Sequence, residues 1–133
     1  EILKEETKIK KAIGSDTAFG QDKRPIEIPD FDLIRVETIA SIFSQGKIYI
    51  TIDKNYPENN LLLLCQQLRN EYKNFKNIII CIYLNSKVGK QLAKGITSEI
   101  SIEEKNKSWI ALYSYNKVEG EYFDNKPSSY NNF

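Results

Sequence analysis

Residues 47–53 read KIYITID, and the two segments that follow them decide the fold: LLLLCQQLRNEYKNF at 61–75 and NIIICIYL at 77–84. In 47–53, Ile48, Ile50 and Ile52 alternate with Tyr49 and Thr51, the period of a strand with one face against a core. In 61–75, Leu61, Leu64, Cys65, Leu68, Tyr72 and Phe75 recur at helical spacing, a stripe that must pack on something. Pro57 suits the first turn of that helix, with Asn55 or Tyr56 near its cap. The run at 77–84 is apolar throughout and of strand length, which fits a strand buried on both faces.

Working outward, residues 33–43 are rich in β-branched side chains, with Ile34, Val36, Thr38, Ala40 and Ile42 sharing one parity. Ser44-Gln45-Gly46 supplies a glycine for a hairpin loop to the strand at 47–53. Downstream, SKVGKQLAKG at 86–95 reads as a short helix with Val88, Leu92 and Ala93 inward. Ser101-Ile102-Glu103-Glu104 has the form of a capping box. Residues 108–115 make a further strand, and a turn near Asn116-Lys117 returns the chain as 119–123. The expected fold class is α+β: a four- to five-stranded, mostly antiparallel sheet, one long helix on one face, and one or two short helices. A split β-α-β arrangement, with the first strand between the second and third, satisfies this order.

At the N-terminus, Ile2, Leu3, Ile9, Ala12 and Ile13 lie on one helical face, and Gly14 can stop the helix. A helix on the domain edge, a tether from a removed anchor and a membrane-surface helix are the alternatives. Residues 15–32 read as loop, with PIEIP at 25–29 able to form a short edge strand. The division is thus 1–32 helix or tether and loop, 33–124 a single α+β domain, and 125–133 an irregular tail.

Composition excludes more than it selects. The 133 residues are 41% hydrophobic and 28% charged, with a net charge of +1, so bulk attraction to nucleic acid is not expected. No histidine occurs. That removes the usual general base, the commonest metal ligand and every His-activated nucleophile. No catalytic residue, metal ligand or cofactor is singled out. Glu119, Glu121 and Asp124 match no calcium-loop spacing and read as solvated turn residues. Gly89 and Gly95 do not form a phosphate loop. Lys87, Lys90 and Lys94 read as one solvated face. No apolar run reaches the roughly 18 residues of a membrane span. The chain opens on Glu1 and lacks methionine, which fits a removed signal or lipoprotein leader, a trimmed sequence or a cleaved initiator.

Strand parity divides the sheet into two surfaces. If Ile48, Ile50 and Ile52 face the helix, so do Ile78, Ile80, Ile82 and Leu84, with Ile110 and Leu112. The opposite face then holds Thr51, Ile79, Cys81 and Ala111 together with five rings. Those rings, Tyr49, Tyr83, Trp109, Tyr113 and Tyr115, are the candidate binding residues. Either the N-terminal segment, the tail or a second copy covers that face, or it is a platform for a peptide, glycan or partner protein. Cys65 and Cys81 fall on opposite sides and are expected to be free, buried thiols.

The succession RVETIASIFSQGKIYITID, the helix LLLLCQQLRNEYKNF, NIIICIYL and SWIALYSYN resembles small exported bacterial α+β modules of unassigned activity. The resemblance spans residues 34–123 and implies a cell-envelope protein, periplasmic or lipid-anchored, with a binding or structural role; a cytoplasmic location is the alternative. On this reading the partner is another protein or a peptide, not nucleic acid, and a homodimer is one form it takes. Two other functions stay open: an inhibitor or immunity-type protein that blocks one partner, and an enzyme using carboxylates or Tyr in a cleft.

Overall fold

A computed structural model of the chain describes residues 27–127. The helix expected over 1–14, most of the loop after it and the end of the tail lie outside the described residues. The chain order is β1 (Asp32–Ala40), a 3-10 turn (Ser41–Phe43), β2 (Gln45–Ile52), α1 (Glu58–Glu71), β3 (Asn77–Leu84), α2 (Lys87–Ala93), α3 (Ile102–Ser108), β4 (Trp109–Asn116) and β5 (Gly120–Asp124). The strands form one sheet in the order β1-β2-β3-β4-β5. Three pairings are antiparallel, but β2 and β3 run parallel, so the sheet is mixed.

The parallel pair corrects the topology expected from the sequence. With β3 beside β2, helix α1 is the crossover of a plain β-α-β unit, and β1 is displaced to the sheet edge. The long helix running to Phe75 gives way to a 14-residue α1 ending at Glu71. Tyr72 and Phe75 lie beyond it with their rings stacked 6.2 Å apart. Phe75 explains Gly46, which sits inside β2 and not in the hairpin loop. A Cβ at Gly46 would enter the Phe75 ring, so the glycine gives space for close packing. The turn itself falls at Ser41–Phe43 and Ser44, whose φ of 50° takes the left-handed region.

Each face of the central strands has its own cover. Leu61, Leu64, Cys65 and Leu68 of α1 pack on Ile48, Ile50, Ile52, Ile78, Ile80 and Ile82. On the far side, Ala93 of α2 packs with Tyr49 and Cys81, flanked by Ile34, Ile79, Tyr83 and Leu112. Helix α2 is turned onto the sheet straight after β3 by Ser86, whose hydroxyl accepts from the Gly89 N–H at 3.0 Å. The capping box at the start of α3 forms as read from sequence: Ser101 accepts from the Glu104 N–H, and Glu104 accepts from the Ser101 N–H. Among the described residues, no helix is long and apolar enough to cross a membrane.

Candidate interaction site

The five aromatic residues do not share one surface. Tyr113 pairs with Ile80 and Tyr115 with Ile78, which places both on the α1 face. Trp109 pairs with Tyr83 on the α2 face, and their rings stack at 6.2 Å. The cause is a bulge. The register between β3 and β4 shifts between Ile82 and Tyr83, leaving Ile110 as an extra residue in β4. An extra residue reverses the parity of everything beyond it. Ala111 therefore joins the α1 core, and Leu112 moves to the α2 side. The local signal was faint: Ile110 and Ala111 are adjacent apolar residues, and both are buried.

On the α2 face, Tyr49 is 6% exposed and is covered by an arginine. The Arg35 guanidinium lies 3.9 Å from the Tyr49 ring centroid, and its Nε donates to the Ala93 carbonyl at 3.1 Å. The Tyr49 hydroxyl donates to Glu37 at 3.0 Å, and Arg35 pairs with the same carboxylate at 3.4 Å. Burial, then the bond to Glu37, pushes the Tyr49 phenol up. Tyr83 and Trp109 are half-buried and line a shallow cleft of about 160 Å³ with Leu92, Thr97 and Lys105. That is smaller than the roughly 300–1,000 Å³ of typical small-molecule sites.

On the α1 face, Tyr113 is fully buried and ends in a polar cluster. Oε2 of Glu121 accepts from the Tyr113 hydroxyl at 2.8 Å, from Gln66 at 2.6 Å and from Arg69 at 3.3 Å. Arg69 also donates to the Tyr113 hydroxyl at 3.0 Å and lies over the Tyr115 ring at 4.0 Å. Glu121, expected to be a solvated turn residue, instead ties β5 to α1 and β4. Among the described residues, no three Cys, Asp or Glu side chains gather closely enough to hold a metal ion.

Burial, then the bond to Glu121, pushes the Tyr113 phenol up, and burial does the same to Tyr83. The folded state thus keeps these protons where the unfolded chain releases them. Their contribution is fully present below the ordinary value of 10.0 and is lost as pH rises past it. The urea midpoint is expected to fall above pH 10.0 and the fall to be shallower in Tyr113→Phe. At neutral pH the same variant should lose about 1 kcal/mol, the net worth of a hydrogen bond. An equal alkaline fall in both proteins would refute the assignment.

Cys65 and Cys81 are free and buried on opposite faces, as their parity predicted. Burial pushes both thiols up, which leaves little thiolate. A thiol reagent is therefore expected to label neither Cys65 nor Cys81 in the folded protein and both in urea. Rapid labelling of either under native conditions would contradict their packing.

Among the described residues, exposed apolar side chains are most concentrated at the β1 edge. Leu33 is 46% exposed, Val36 40%, Ile39 47%, Ile42 83% and Phe43 67%. Ile28, just before the strand, is also exposed. The alternation expected along 33–43 fails because register shifts leave Ile34 and Ile39 as extra residues. Ile34 turns to the α2 side, while Leu33 and Val36 pair with Ile50 and Ile48 on the α1 side. No described strand lies beyond β1. The sequence reading missed this site, although Arg35 and Glu37 alternating with apolar residues are what a half-exposed edge strand carries. Comparison of the chain with protein-family models, curated proteins and solved structures finds no match.

Proposed function

We propose that the chain is a non-enzymatic interaction domain of the bacterial cell envelope, and that the β1 edge is its binding element. The apolar edge carries this reading. A nine-residue outer strand presents backbone donors and acceptors that another strand can pair with, and its side chains supply apolar contact. The opposite edge is shorter: β5 has five residues. Shortness is one way in which proteins blunt an edge they do not use. The envelope assignment rests on the resemblance of residues 34–123 to exported modules.

The test is photocrosslinking in cells that express the full gene product. A benzophenone side chain at position 33 is expected to give a discrete adduct, and one at position 122 on the opposite edge is not. Adding Val36→Lys should remove the adduct. Equal crosslinking from the two edges, or none from position 33, would defeat the proposal.

A further inference from the structure

Resting on the reading of β1 as a binding edge, we infer that its occupant is a second copy of this chain, paired antiparallel about a two-fold axis at Val36. The charge pattern selects this register. Arg35 and Glu37 flank Val36 on the α2 side of the sheet, where both engage Tyr49. With the axis at Val36, Arg35 stands opposite Glu37 of the second copy, and Glu37 opposite its Arg35. Shifting the axis by one residue sets Arg35 against Arg35 or Glu37 against Glu37, and like charges directly opposite are destabilising. The Glu37 side chain is 44% exposed, so it is open to a second arginine.

The apolar pattern is self-complementary in the same register. On the α1 side Val36 meets Val36 of the second copy, and Leu33 and Ile39 lie at the two ends of the paired segment. Ile42 and Phe43, at the turn, reach toward the segment of the second copy that holds Ile28. Of the large hydrophobic side chains exposed among the described residues, six lie along this edge. An isologous contact of this kind closes on itself and does not propagate. The register shifts at Ile34 and Ile39 confine regular pairing to residues 35–37, since Thr38 stands opposite the extra residue Ile34, so the dimer dissociates on dilution.

The experiment joins mass in solution with disulfide trapping. Light scattering on the full chain should give close to twice 15.4 kDa at high concentration and the monomer mass on dilution. Val36→Lys, with a folded circular dichroism spectrum, should be monomeric throughout. Val36→Cys should form an intermolecular disulfide under mild oxidation. Residues facing each other across such a pair have Cα atoms about 4.5–5.5 Å apart, within disulfide reach. Thr38→Cys should not, because its two copies would lie roughly 13 Å apart along the strands. Buried Cys65 and Cys81 do not compete.

A monomeric parent at every concentration overturns the inference, as does a dimer that survives Val36→Lys. Trapping of Thr38→Cys as fast as Val36→Cys overturns the register. If position 33 crosslinks in cells to a different protein, or to the chain's own residues 1–26, the second copy is not the occupant. The first of those results leaves the binding edge standing, whereas no adduct at all removes both readings.

Discussion

Gly89→Ala is expected to destabilise the fold by about 2 kcal/mol, an overpacking cost of about 3 kcal/mol less an opposing propensity gain of about 1 kcal/mol. The two effects have opposite signs, which makes the variant informative. In an exposed helix, alanine in place of glycine is worth about 1 kcal/mol of added stability. Gly89, however, is buried in the first turn of α2, directly behind the end of β3. A Cβ there would run into the Leu84 carbonyl oxygen and lie 2.9 Å from its carbonyl carbon. Those atoms are backbone, and the Leu84 backbone is further fixed by the Ser86 N–H donating to its carbonyl at 2.8 Å. The clash cannot be relieved by a rotamer. Equilibrium urea unfolding should show a lower midpoint. An unchanged or higher midpoint would mean that α2 can lift off the strand, and that its cover over Tyr49 and Cys81 is loose.

The second large effect belongs to Tyr113. Tyr113→Ala should cost about 3–5 kcal/mol, the range for removing a buried aromatic side chain. Tyr113→Phe, by contrast, should lose only the hydroxyl's share. The pair of variants separates packing from the polar cluster, and it also tests the bulge. If parity ran unbroken through β4, Tyr113 would lie on the α2 face and would not touch Arg69 or Glu121. A strong coupling between Tyr113→Phe and Arg69→Ala in a double-mutant cycle places both on the α1 side. Additive effects would contradict the observed register.

The strands and α1 were legible because their patterns are local. The alternation in 47–53, the stripe from Leu61 to Leu68, and the serine and glutamate of 101–104 each report on a few neighbouring residues. The misreadings concern facts that no short window contains. Whether β3 adds beside β2 or beside β1 depends on which edge the crossover reaches. The extra residues at Ile34, Ile39 and Ile110 leave composition unchanged, yet each reverses a parity count. The single extra residue at Ile110 moved Tyr113 and Tyr115 to the opposite side of the sheet. The exposed edge was hidden for a related reason: β-branched residues fit an outer strand as readily as a central one.

The parallel joining of β2 to β3 also bears on how the chain reaches its fold. The β1–β2 and β4–β5 hairpins connect residues close in sequence, and such pairs form within about 1–10 μs. The β2–β3 ladder has no such shortcut, since residues 45–52 and 77–84 meet only after the whole crossover is closed. Loop closure must be met before those contacts reward it, and docking of Leu64 and Leu68 is what holds the strands together meanwhile. The slow event is therefore the seating of α1 on a two-stranded nucleus. Until then β2 is paired with β1 along one edge and leaves the edge that β3 will take open.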